Sequence, residues 1–420
     1  MDNECILGID FGTIASCAAV YYKKKIEVIQ DEIGKRSIPS VACYTGSKIL
    51  VGESADKNKI EYVQSTIFEC KRFIGHLYND PHLKRDYDKY AVKIIEDTKN
   101  KTPKYEIKIG KQTIYKFPSD VALDIIKYIK HISELHIKKI FKTNIEIKKA
   151  VITVPFHFTE DREKAMKTIA ENAGFKQIDV LIESDAAGIA YGYYREHKID
   201  ENILLFDIGG GTCGVSVLGL KKNNAEIKLL GRGGKGHAGG ENFEEQLRDY
   251  IKKKIKEKPE FKNLDFKKND KATLRAFTKI KDKTKNVISQ LSMDEDAVFK
   301  IAELYEEKDF ELKITRKDYM DLCNELLKKC YEACTKALDS SNIKEDNINK
   351  IVLSGGSSRT PGIQEYLKKQ FRNATFSQEI NADEACAQGA ALFKSNLVRI
   401  IEKIQNNSLD KNMNEKIKKI

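Results

Sequence analysis

The sequence predicts an α/β protein built as two similar lobes that face each other across a cleft. Three segments carry the prediction: CILGIDFGT (5–13), NILLFDIGGGT (202–212) and KIVLSGGSS (350–358). Each runs from an apolar strand into small residues and glycine, and the first two place an aspartate, Asp10 or Asp207, at the strand end. One αβ unit used twice, with a third turn added by the second half, implies paired lobes around a shared cleft.

The remaining elements follow in chain order. IEVIQ (26–30) and KKAVITVP (148–155) read as strands of a first lobe, residues 1–190. Between them SDVALDIIKYIKHISELHIKKIF (119–141) keeps apolar residues at helical spacing and starts at a good N-cap, Ser119. Another helix starts at the cap Thr159 and stops before Gly174. The lobe boundary is expected near 187–200, and the second lobe occupies 191–395. There EIKLLG (226–231) and AVFKIAEL (297–304) read as strands. Phe243, Leu247, Ile251 and Ile255 recur every four residues, so the lysines of IKKKIKEK (251–258) form the solvated face of an amphipathic helix. The polar stretch 258–273 reads as a loop or helix-edge insertion. Thr315 with Asp318 resembles a capping box for a helix to about Leu338, and Pro361 suits the first turn of a helix through Phe371. A return helix is expected near 380–403, and 396–420 reads as a polar tail, frayed or disordered.

Composition bounds the class. A chain of 420 residues, 41% hydrophobic and 33% charged, is long enough for two domains with real cores. No apolar run approaches the roughly 18 residues of a membrane span. MDNECILGID does not look like a cleavable signal. A soluble, cytoplasmic protein with no membrane partner is therefore expected. The nine cysteines are scattered with no C-x-x-C pair. Cys323, Cys330 and Cys334 share a helical face and invite a metal-site check, but Leu322, Leu326, Leu327 and Leu338 share that helix. Packing of reduced thiols is the reading adopted. The net charge of +11 is spread over a Lys-rich chain and by itself carries little weight for nucleic acid.

The glycine turns carry the chemistry. A turn of glycines after a strand lets backbone N–H groups converge on polyphosphate oxygens, and a helix N-terminus adds favourable potential. A carboxylate in such a turn would repel the phosphate unless Mg²⁺ lies between them, directly or through waters. Two such turns, each with an aspartate, would clamp one Mg-nucleotide from both sides.

At these residues the chain resembles the DnaK-type heat-shock chaperones, the heat shock protein seventy family, within the actin-like ATPase superfamily. GIDFGT (8–13), KRFIG (71–75), VITVPFHF (151–158), IESDAAGIAYG (182–192), FDIGGGT (206–212), GGENF (239–243), LSGGSSRTPGIQ (353–364) and NADEACAQGAA (381–391) fall in the family's order. The resemblance implies an actin-like ATPase fold and a nucleotide-binding domain for ATP or ADP with Mg²⁺. It implies that Gly12, Thr13, Ile14 and Ala15 line the first phosphate turn, and Gly210, Gly211 and Thr212 the second. Asp10 and Asp207 would hold Mg²⁺ through its waters. Lys71 would neutralise the γ-phosphate, while Glu183, Asp207 and Thr212 complete the catalytic set. Adenine and ribose would meet Asp282, Lys285 and Ser289, with Gly356, Ser357, Ser358 and Arg359 across the ring and Asp383 closing the base.

The chain departs from the family's pattern in places. Gly214 stands where the family usually has Asp, Ser184 where it has Pro, and Ile14 and Ala15 where it has hydroxyl-bearing residues. Asn286 replaces an Arg that stacks on adenine, a loss of about 0.5–2 kcal/mol of cation–π contact.

Two functions remain open from sequence. One is a slow Mg²⁺-dependent ATPase domain driving a chaperone cycle in protein folding and stress response. Its partners would be a J-domain co-chaperone, a nucleotide exchange factor and, indirectly, unfolded or nascent polypeptide. The other is a non-cycling, Ssz-type partner of a J-protein on the ribosome, which holds ATP as a structural ligand; Gly214 and the expectation of no substrate-binding domain favour it. A sugar kinase or filament-forming actin relative is a third reading, against which KRFIG, GGENF and VITVPF speak.

Overall fold

The computed structural model describes residues 4–393, except 85, 88–89, 196–198, 223, 267–269 and 378. Strand β1 (Ile6–Asp10) pairs antiparallel with β2 (Ala15–Tyr22), and β2 pairs antiparallel with β3 (Lys25–Val28). On its other side β1 runs parallel to β4 (Lys149–Val154), and β4 parallel to β5 (Gln177–Ile182). The second half repeats the pattern. Strand β6 (Glu201–Ile208) pairs antiparallel with β7 (Thr212–Lys221), and β7 antiparallel with β8 (Asn224–Gly236). Its other neighbour is the parallel β9 (Lys350–Ser354), followed by the parallel β10 (Thr375–Ser377). The orders β3-β2-β1-β4-β5 and β8-β7-β6-β9-β10 have the same directions throughout, as two copies of one unit require.

Parallel neighbours need crossovers, and helices supply them. In the first lobe α1 (Pro118–Phe141) precedes β4, burying Val121, Ile125, Ile129 and Ile137, and α2 (Glu160–Asn172) joins β4 to β5. Helix α1 begins earlier than expected: its N-cap is Phe117, and Ser119, expected as the cap, lies inside the first turn. Pro118 takes the first helical position, where its missing N–H needs no partner, and the Asp120 carboxylate accepts the Phe117 N–H at 2.8 Å. Thr159 caps α2 as expected, and Gly174 follows it with φ 91°. Helix α3 (Glu183–Tyr194) follows β5 directly.

In the second lobe α4 (Gly240–Lys256) buries Phe243, Leu247, Ile251 and Ile255, the stripe read from sequence. The stretch 258–273 is not all loop: the Asp270 carboxylate accepts the Thr273 N–H at 2.9 Å and starts α5 (Lys271–Leu291). A hairpin, Asp296–Tyr305 with Lys308–Thr315, contains the strand expected at 297–304. Thr315 and Asp318 make both bonds of the capping box of α6 (Arg316–Ser341), at 3.1 and 3.2 Å. Helix α7 (Ile363–Gln370) leaves Pro361 outside, because Gly362, with φ 91°, is its N-cap. Cys323, Cys330 and Cys334 lie in the core of this lobe.

The return helix is α8 (Ala385–Leu392), shorter than the span 380–403; the tail 396–420 lies outside the described residues. It packs on α3 and back onto β1 and β2 of the first sheet. The crossing is main chain against main chain. A Cβ on Gly389 would stand 1.7 Å from the Ala186 carbonyl oxygen, and one on Gly8 2.2 Å from that of Ala387. Among the described residues no helix is long and apolar enough to cross a membrane.

Candidate nucleotide site

The twin β1–β2 and β6–β7 turns face one cleft of about 390 Å³. In the first turn the Gly12 N–H donates to the Asp10 carbonyl at 3.1 Å, and the Ser40 hydroxyl donates to the Gly12 carbonyl at 2.8 Å. In the second the Gly209 N–H donates to the Thr212 carbonyl at 3.1 Å. Helix α4 starts against this turn: the N–H groups of Gly240 and Glu241 donate to the carbonyls of Gly209 and Gly210 at 2.9 and 2.7 Å. The second turn thus sits at the N-terminus of α4, a position whose potential favours anionic oxygens.

The structure brings most of the expected residues to this cleft. Gly12, Thr13, Ile14 and Ala15 line one wall, Gly210 and Thr212 the other, and Asp10, Glu183 and Asp207 its floor. Lys285 and Ser289 enter from α5, and Gly356, Ser357, Arg359 and Asp383 close the far end. Arg359 holds Asp383 by two parallel bonds of 3.0 and 2.7 Å. Four expected residues stand apart from the lining. Lys71 is buried behind it, its Nζ donating to Glu183 Oε1 at 2.8 Å. Gly211 faces the first turn, where a Cβ would meet Thr13 Oγ1 at 3.3 Å. Ser358 is buried within the short turn 356–359. Asp282 lines a neighbouring pocket and pairs with Lys59 at 2.6 Å.

The electrostatics of the floor suit a cation. Burial first, and then Glu183, push the Asp10 carboxyl up to about 6, although Thr153 donates to Asp10 Oδ1 at 2.9 Å. Burial, Glu183 and Asp10 push Asp207 up to about 7. The Cys386 thiol lies 3.6 Å from Asp207 Oδ1 and 3.4 Å from the Glu183 carbonyl. Three acids around one lysine leave negative charge uncompensated, and hard oxygen donors of this kind fit Mg²⁺. Among the described residues no three metal-ligating side chains converge on one point.

Gly214 pairs with Asp207 across the β6–β7 ladder. A Cβ there would meet only Ser184, at 3.9 Å. The backbone therefore does not demand glycine, and what is absent is a carboxylate. Glu244, Ile288, Ser292 and Tyr319 also line the cleft and were not expected from sequence. Glu244 had a legible signal: it follows Gly240 of GGENF by four residues, on the same helix face.

Twin glycine turns on twin sheets, with buried acids and a lysine beneath them, define the nucleotide-binding domain of an actin-like ATPase. The family model described as Hsp70 protein matches residues 6–400, and the chain belongs to the Hsp70 family. It is 31% identical over 389 residues to a heat shock protein of the SSB kind from Pyricularia oryzae, covering 92% of this chain and 60% of that protein. The chain thus spans about three-fifths of that relative's length. Members of the family are ATPases that bind ATP or ADP with a divalent metal, and generally work with J-domain proteins and exchange factors.

Proposed function

We propose that this chain binds Mg-ATP in the cleft and hydrolyses it slowly, as the nucleotide-driven part of a cytoplasmic chaperone in protein folding. J-domain and exchange-factor partners, nascent polypeptide held by other parts of the system, and the ribosome belong to the same proposal. The observation that carries it is the Lys71–Glu183 pair, 2.8 Å apart, which sets a buried ammonium behind a carboxylate of the cleft lining.

In this reading the N–H groups of both turns hold the polyphosphate and fix its terminal phosphorus above the floor. The Lys71 ammonium neutralises the γ-phosphate and draws the attacking water into line. Glu183, already bonded to Lys71, orients that water with Asp207 and takes its proton as the bond to the leaving ADP breaks. Asp10 and Asp207 would hold Mg²⁺, which when bound supplies neutralisation of the polyphosphate charge. The missing acid at Gly214 leaves fewer negative groups at the metal, consistent with slow turnover.

The test is single-turnover hydrolysis of Mg-ATP by the parent and by Lys71→Ala. Phosphate release by the parent that stops in the variant, with binding retained, is expected. Turnover by the variant at the parent rate removes the basis of the proposal. Tight binding by the parent with no release favours the second reading, a non-cycling scaffold that keeps ATP as a structural ligand, for which Gly214 is the specific observation.

A further inference from the structure

We infer that Arg162 is the positioning residue for Lys71, fixing the main chain from which the Lys71 ammonium reaches the γ-phosphate. The inference rests on the ATP-hydrolysis reading above and adds to it a residue that does not line the cleft. Arg162 stands in the first turn of α2 and is 7% exposed. Its Nε donates to the Ile74 carbonyl at 2.9 Å and its Nη2 to the Lys71 carbonyl at 3.1 Å. One rigid planar group therefore spans both ends of the segment 71–74. The Phe158 ring covers the guanidinium, 3.7 Å from ring centroid to Cζ, and its centroid also lies 5.7 Å from Lys71 Nζ. Gly75 leaves the segment with φ 73°, and a Cβ there would stand 2.8 Å from Arg162 Cγ. The chain thus passes directly against the arginine.

This cation is badly placed for stability alone. It sits at the positive end of a helix, out of water, and makes no carboxylate ion pair among the described residues. Burial lowers its pKa to about 10, so it is still charged at neutral pH. An apolar side chain would fill the same volume without those costs; what the guanidinium adds is two donors at a fixed separation. The segment they hold is one that needs holding. Lys71 lies in the three-residue turn Cys70–Arg72, entered through Glu69 in the left-handed region at φ 60°. Backbone in such a conformation persists only where its surroundings over-determine it. Arg72 and Lys281 fix the entry by their bonds to Glu69, at 2.8 and 2.6 Å, and Arg162 fixes the exit. Glu183 holds only the tip of the Lys71 side chain, the group that must also answer to a phosphate. The chain that carries Arg162 reaches the acids as well, because Thr153 donates to Asp10 Oδ1 at 2.9 Å. The stretch 153–162 therefore touches Asp10 at one end and the Lys71 main chain at the other, and sets the spacing between them.

The experiment measures single-turnover phosphate release from Mg-ATP, and calorimetric affinity for Mg-ADP, in the parent, Arg162→Met, Arg162→Lys and Thr159→Ala. Arg162→Met keeps the volume and removes the donors. It is expected to release phosphate about tenfold to a hundredfold more slowly, the scale of misplacing a reacting group, at an unchanged Mg-ADP affinity. Arg162→Lys keeps the charge, but one ammonium does not span both carbonyls, so its rate falls between. It carries the test if Arg162→Met does not fold. Thr159→Ala removes the cap of the same helix, lowers its stability and keeps the parent rate. Parent-rate turnover in the variant that carries the test overturns the inference. So does a rate loss matched by Thr159→Ala or by an equal loss of Mg-ADP affinity, since either makes Arg162 structural only. A parent that binds Mg-ADP but releases no phosphate overturns the hydrolysis reading, and this inference with it.

Discussion

Lys281, on a helix of the second lobe, donates to Glu69 of the first at 2.6 Å, and its ammonium also lies 3.6 Å from Glu241. Arg72 and the Tyr90 hydroxyl bind the same Glu69 at 2.8 and 3.0 Å. Lys59 and Asp282 make a second inter-lobe pair at 2.6 Å. These groups line or adjoin a pocket that shares Ile14, Ala15 and Lys285 with the nucleotide cleft. The lobes are thus joined beside the cleft by charges held largely out of water.

Removing one member of such a cluster leaves its partners charged and buried. Lys281→Met is expected to destabilise the protein by about 3 kcal/mol, the lower end for breaking a buried pair. Urea denaturation measures the loss. Release of a fluorescent ADP from the same variant should quicken, because less holds the lobes together.

The acids respond to pH in opposite senses. Burial alone would raise Glu69, but Lys281 and Arg72 hold its carboxyl well below the usual range. Its contribution is therefore complete above the ordinary glutamate value of about 4.3 and is lost as pH falls below it. Asp10 and Asp207 are raised to about 6 and about 7, so the folded, metal-free protein holds protons that the unfolded chain releases. Their contribution is complete at low pH and is lost as pH rises through those values. The Tm of nucleotide-free, Mg²⁺-free protein should accordingly fall between pH 5 and pH 8. Mg-ADP should flatten that slope; a slope unchanged by it would count against a cation at these acids.

Gly214→Asp restores a carboxylate at a position whose Cβ meets only Ser184, at 3.9 Å. Turnover should then saturate at about tenfold less Mg²⁺, the scale of one additional charged contact. Stability should change by about 1 kcal/mol at most when metal is present. Mg²⁺ titration of single-turnover rates measures the first effect and thermal melting the second.

Gly389→Ala is expected to destabilise by more than about 3 kcal/mol, because its methyl group would overlap the Ala186 carbonyl oxygen and force α3 and α8 apart. Gly110→Ala is a suitable control. Its φ is positive, at 59°, but nothing lies within 4 Å of the added Cβ, so its cost should be limited to backbone strain of about 1–2 kcal/mol. Thermal or urea denaturation of the two variants compares them directly.

Much of the site was legible because its parts are contiguous. Asp10 with Gly12, and Asp207 with Gly210, each lie on one strand and its turn, so position along the chain dictates position in space. Thr159 and Thr315 were legible as caps for the same reason. Pairings across the chain were not. Lys71 and Glu183 are 112 residues apart, and Lys281 and Glu69 are 212 apart. Lys59, the partner of Asp282, has no local signature. The small first-lobe sheets between residues 41 and 116 were missed; most of their strands are short, although Pro103–Ile109 runs seven residues.

The main-chain crossing at Gly389 and Ala186 has a mechanical meaning. With no side chains there to compress, the two helices meet at a stiff bearing, while a charged catch holds the halves together at Glu69 and Lys281. Acid loosens the catch and leaves the bearing untouched, because uncharged atoms in contact do not titrate. Acid would therefore weaken one of the two contacts and spare the other.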